Sequence, residues 1–160
     1  MKLPKSLAQG MQNKLRVLTY DCYCADAFTS GLTSLDDGDS ARWQTAIDTL
    51  YRFIRSDLLW SPSVTEGSPP LTQEDYLAYM LRLAQSNPFS KEANYFEQYS
   101  SWVIWDFCLT DSAKDFIGRH NLRGLGQELS VAFVDELEQR FIEHGVRWSD
   151  TPLIPIKSEI

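Results

Sequence analysis

The stretch Asp39–Trp60, DSARWQTAIDTLYRFIRSDLLW, decides how the chain is read. Trp43, Ile47, Leu50, Ile54 and Leu58 recur at spacings of three and four residues, so a helix gathers them into one apolar stripe that must be buried. Asp39 or Ser40 is suited to cap its start. The following segment, Ser61 to Pro70, holds three prolines and a glycine, which stops the helix near Trp60 and sets a loop after it.

The same period continues on both sides. Downstream, Thr72 and Asp75 form an acidic variant of the capping box, with Leu71 and Tyr76 placed as a hydrophobic staple. They predict a third helix from Gln73, with Tyr76, Leu77, Met80, Leu81, Leu83 and Ala84 on a wide face and Asn87–Pro88 as its stop. Ser90 caps a fourth helix to about Cys108, carrying Phe96, Tyr99, Val103 and Phe107 on one side and Trp102 and Trp105 beside them. Thr110 or Asp111 opens a short fifth helix around Phe116 and Ile117, broken by His120 to Gly126. Leu125, Leu129, Ala132, Phe133, Leu137 and Phe141 mark a sixth helix, Leu125 to Glu143, with Gly145 as its C-terminal cap.

Upstream, Leu7, Met11, Leu15, Leu18, Cys22 and Ala25 predict a first helix from Leu7 to Phe28, ended with the help of Gly31. Val17 to Cys24 is rich in β-forming residues and keeps a strand open there, as does Val146 to Trp148. Pro152 and Pro155 forbid a helix in the tail, so Leu153, Ile154 and Ile156 are expected to lie extended across a groove. The expected fold is all-α: one domain over residues 1–160, an irregular bundle of about six helices with an extended C-terminal tail.

Composition narrows the partners. A hydrophobic fraction of 43% with five Trp, seven Tyr and eight Phe is that of a chain that folds alone. Fifteen Lys plus Arg against 22 Asp plus Glu give a net charge of -7, which repels phosphate backbones and anionic lipid and attracts a basic protein. No run approaches the ~18 apolar residues of a transmembrane helix, and Met1 to Ala25 lacks a signal peptide's apolar core. The expectation is a cytoplasmic protein without nucleic acid or membrane as partner. Cys22, Cys24 and Cys108 make neither an even disulfide set nor paired Cys-x-x-Cys motifs, so reduced thiols are expected.

No motif calls for catalysis, a metal or a cofactor. Cys22, Cys24, Cys108 and His120 total four zinc-type ligands, but two cysteines two apart on a helix diverge, which favours buried thiols. Asp36, Asp37 and Asp39 lack the spacing and closing glutamate of a calcium loop and read as a solvated loop ending in a cap. His120 and His144 are the side chains that titrate near neutrality. His144 beside Gly145 suits a cation at a helix C-terminus, and Arg119, His120, Arg123 and Lys114 are the densest basic patch.

The acidic residues carry the positive reading. Glu128, Asp135, Glu136, Glu138 and Glu143 crowd the sixth helix, and Glu66, Glu74 and Asp75 border the Pro-rich loop. Such clusters serve either as solvated faces or as a docking surface for a basic partner. Trp60, Tyr79 and Trp148 stand near helix ends or in the tail, where core packing competes with a role as interface anchor; Trp60 joins the expected partner-binding set.

A compact acidic helical chain with runs such as Thr72 to Gln85 (TQEDYLAYMLRLAQ) and Ser101 to Cys108 (SWVIWDFC) resembles, in type, the immunity proteins that bacteria make against contact-delivered polymorphic toxins, especially basic nuclease domains. The likeness carries over no residue roles. It implies a one-to-one complex that blocks a toxin's active site or substrate groove. The alternatives are a ligand pocket or enzyme site around His120 with Asp106 or Cys108, and an oligomeric adaptor.

Overall fold

The computed structural model describes residues 2–62, 67–122, 126 and 128–157. Its elements in order are α1 (Lys5–Val17), β1 (Tyr23–Cys24), two short 3-10 helices (Ala25–Thr29 and Leu35–Asp37), α2 (Asp39–Arg55), β2 (Leu59–Trp60), α3 (Gln73–Leu83), α4 (Tyr95–Val103), β3 (Asp106–Leu109), α5 (Asp111–Arg119) and α6 (Val131–Glu143). The fold is largely helical with a small sheet, not all-α. No described helix is long and apolar enough to cross a membrane.

Helix α2 is the axis of the core. Its stripe of Trp43, Ile47, Leu50 and Ile54, with Leu58 just beyond, is buried throughout, at about 1.5–3 kcal/mol for each large apolar side chain removed from water. Its Asp39 stands inside the first turn instead of capping it, because Gly38 takes the N-cap position without a side-chain bond. The start of α3 is as expected: Thr72 Oγ1 accepts from the Asp75 amide, and Asp75 accepts from the Thr72 amide at 2.7 Å. Thr110 caps α5 and Ser130 caps α6. Gly145 ends α6 with a φ of 71°, a conformation that costs a residue with a Cβ, and the Val146 amide then reaches back to Phe141 O at 2.8 Å.

Three strands replace helix at places where the helical period was extended too far. Helix α1 stops at Val17, where Thr19 Oγ1 bonds Arg16 O at 2.6 Å and the Tyr20 amide bonds Val17 O, tightening the chain into a turn. Helix α4 stops at Val103, and Phe107 and Leu109 alternate into the core while Asp106 stays exposed; period two fits these β-forming residues better than a fourth helical turn. The sheet is antiparallel with β3 in the middle, pairing Tyr23 with Phe107, Cys24 with Asp106, Leu59 with Leu109 and Trp60 with Cys108. Val146 to Trp148 forms no strand. Leu125 lies outside the described residues, and α6 begins at Val131.

That register overturns the expectation of three thiols. Continuing β1 by one residue sets Cys22 opposite Cys108, and the two are joined by a disulfide with Cα atoms 4.5 Å apart, the spacing of a pair facing each other without ladder bonds. Cys24 keeps its thiol, half-buried. Reading residues 7–28 as continuous helix hid this pairing.

The tail is tied to α2 by polar groups. Gln44 Nε2 donates to Ile154 O at 3.0 Å and Gln44 Oε1 accepts from the Ile156 amide at 2.9 Å. Arg52, fully buried, donates from Nε to Val146 O at 2.9 Å and from Nη2 to Arg147 O at 3.0 Å. Asp48 lies one turn earlier, with Oδ1 3.6 Å from Arg52 Nη1 and no hydrogen bond to that oxygen.

Burial pushes the Asp48 carboxyl up to about 6, against the pull of Arg52, the Leu153 amide and Gln44. The native state therefore holds a proton that the unfolded chain, titrating near 3.8, has already lost. Asp48 stabilises the fold below that lower value, and the contribution is lost as pH rises through 6. Urea unfolding of the native chain and of Asp48→Asn should show the native chain gaining about 1–2 kcal/mol relative to the variant between pH 7.5 and pH 5. A constant difference across that window would mean Asp48 is not desolvated.

Candidate protein-binding surface

The expected acidic residues fall into two separate groups. The first lies on and before α6, which packs against α1. Asp135 and Glu143 are exposed, Glu143 accepting from Gln139 at 3.1 Å. Glu138 accepts from the Leu3 amide at 2.5 Å and so ties the N-terminal segment to α6. Glu128 is exposed, while its carbonyl accepts from the buried Gln12 side chain at 2.9 Å.

Glu136 is spent internally. Its carboxylate accepts from Arg119 Nη2 at 2.7 Å, sits 2.6 Å from His120 Nε2 and lies 4.0 Å from Arg140 Nε. Burial pushes its pKa up, but hydrogen bonds from His120 and Arg119 and their charges outweigh that and hold it below the usual range. A carboxylate already engaged by Arg119 and His120, with Arg140 beside it, adds little to an attractive field.

The same contacts fix the surroundings of His120. Its ring stands edge-on to Phe116 and Phe133, with centroids 5.3 and 5.7 Å away, and its Nε2 is occupied by Glu136. Cys108 is in the disulfide and Asp106 is on β3. Arg123 lies outside the described residues. Among the described residues no group of three or more His, Cys, Asp or Glu is placed to hold a metal ion.

The second group surrounds β2. Trp60 is 47% exposed although its indole N–H donates to Leu109 O at 3.3 Å, so the ring is fixed in place while much of its surface stays in water. It stands on the rim of a cavity of about 340 Å3 lined also by Ile54, Asp57, Pro70, Leu71 and Tyr76. Tyr76 OH accepts from the Ser61 amide at 2.9 Å, and burial raises its pKa, keeping the phenol protonated. Gln73 lines the cavity as well, which places exposed Glu74, its chain neighbour, at this end of α3. Asp75 is beside it but engaged in the cap. Glu66 lies outside the described residues.

Of the other two aromatics, Tyr79 is buried with its hydroxyl on Ser101 O at 2.6 Å, and Trp148 lies under the Arg52 guanidinium at 4.7 Å. Both are packing residues. Asp57, and the cross-strand row that sets Cys108 and Cys22 beside Trp60, were missed by sequence reasoning. Asp57 adopts a φ of 58° at the end of α2, a conformation Asp tolerates better than most residues, so a Ser-Asp pair closing a strong apolar stripe was the available signal.

The chain matches no protein-family model, no curated protein and no solved structure.

Proposed function

We propose that this chain is a binding protein that neutralises a basic partner, in the manner of an immunity protein blocking a toxin domain, and that it docks through the Trp60 seat. The observation that carries the reading is an aromatic ring held rigidly yet half in water, beside a cavity and next to Asp57 and Glu74. Interface energy concentrates in such anchors, while surrounding charge sets the rate of encounter. The net charge of -7 supports the sign of the partner. The exposed part of α6 is the competing face. The disulfide supports work in oxidising surroundings, in place of the cytoplasm inferred from the lack of an apolar span or signal core.

Affinity capture with the tagged chain, offered the product of the adjacent upstream gene, tests the reading first: retention of one basic protein at near-equal stoichiometry is expected, and no retention at low salt sinks it. Binding kinetics then locate the face. Trp60→Ala should weaken the complex about thirtyfold, roughly 2 kcal/mol, mainly through faster dissociation. Glu74→Lys should slow association at low salt with the gap closing at high salt. Asp135→Lys should leave both unchanged; the reverse pattern would move the interface to α6.

A further inference from the structure

A second site lies away from Trp60, where α1 meets the first 3-10 helix. There a cavity of about 290 Å3 is walled by Val17, Leu18, Tyr23 and Phe28, with Asn13, Lys14 and Ser30 as its polar edge. The polar edge is rich in donors. Lys14 Nζ gives one hydrogen bond, to Ala27 O at 2.5 Å, and an ammonium has three N–H groups to give. The Asn13 carbonyl oxygen accepts from Gln9 Nε2 at 3.2 Å, and its amide group brings two N–H donors to the same edge.

The ammonium is also short of counter-charge. Burial lowers the Lys14 pKa, and the attraction of Asp26 only partly opposes this; the Asp26 carboxylate also accepts from the Tyr99 hydroxyl at 3.0 Å. Gly31 lies against this ammonium: a Cβ there would stand 3.4 Å from Nζ, an ordinary contact, and it is the φ of 77° that calls for glycine. The chain thus holds a partly desolvated cation at the edge of an apolar cavity.

From this juxtaposition we infer that the cavity binds a small monocarboxylate, its carboxylate paired with Lys14 and its apolar body against Leu18, Tyr23 and Phe28. A single cation with a nearby aspartate does not suit a multiply charged phosphate, and apolar walls do not suit a sugar. At the small end of ligand cavities, the space fits a short chain or a single ring.

The test uses 3-phenylpropionate and octanoate as probes, 3-phenylpropanol and inorganic phosphate as comparisons, and calorimetry with amide NMR as readouts. Saturable binding of the carboxylates is expected, with shifts at Ala27 and Gly31 and at least about tenfold weaker binding of the alcohol. Lys14→Met, which keeps the aliphatic stem, should erase the preference for carboxylate over alcohol. Val17→Trp, which fills the cavity and spares Lys14, should abolish binding of both, with circular dichroism unchanged. No saturable binding to the native chain at millimolar probe, equal affinity for acid and alcohol, phosphate binding as tightly as the acids, or a preference that survives Lys14→Met would each overturn the inference.

Discussion

Replacing Arg52 by Met should cost about 3–5 kcal/mol of stability, the range for breaking a buried ion pair by removing one partner. Arg52 has no exposed surface, and its guanidinium is the donor for Val146 O, Asp48 O and Arg147 O at 2.9–3.1 Å. Met fills the path of the side chain but supplies no N–H, leaving two tail carbonyls and the Asp48 carboxylate unpaired. Lys restores the charge but not the fork, so it should recover only part of the loss. Asp48→Asn added to Arg52→Met should recover part as well, because it removes the charge left alone. Urea unfolding measures all four chains, and trypsin should cut faster after Arg147 in Arg52→Met. A loss under about 1 kcal/mol would show that the tail is not held by this residue.

How much of this was legible follows from where the signal lies. The stripe of α2 and the capping box at Thr72 were readable because each is written in residues three or four apart. The tail's two prolines excluded helix there by covalent geometry alone. Arg52 was unreadable as a tether: its partners are backbone carbonyls 94 and 95 residues away, and any residue type supplies a carbonyl. The sheet was hidden for a related reason. Its edge strands are two residues long, too short to show period two, and they exist only because β3 lies between them.

The acidic surface shows the limit of counting charges. Glu136 and Asp135 are neighbours in sequence, yet one is bound by Arg119 and His120 while the other faces water. Asp75 was chosen both as a cap and as a binding residue, and the cap uses its carboxylate. Exposure and internal bonding together distinguish a carboxylate that attracts a partner from one already satisfied. By that measure Glu74, Glu128, Asp135 and Glu143 keep their charge outward, and Trp60 is what separates the first from the other three.

Removing the Cys22–Cys108 disulfide should be the second large perturbation. The bridge spans 86 residues of sequence and closes a loop that contains α2, α3 and α4. In the chain-entropy account a loop of that size restrains the unfolded state by about 4–5 kcal/mol, with measured values more often near 2–4. Cys22→Ser with Cys108→Ser should therefore lower stability by about 2–4 kcal/mol, as should dithiothreitol on the native chain, while Cys24→Ser should change it by less than about 1 kcal/mol. Thiol titration under native conditions should find one reactive cysteine, Cys24, and three after denaturation and reduction. The consequence for binding is specific. Cys108 pairs with Trp60 on one side and is bonded to Cys22 on the other, so loosening β1 frees one flank of the strand that seats the indole. If Trp60 is the anchor, the double serine variant should lose affinity for the captured basic partner even at temperatures where it is fully folded. Three reactive thiols in the native chain would remove the bridge from the structure; intact affinity in a folded serine variant would leave the bridge as a stabiliser and show that the seat stands without it.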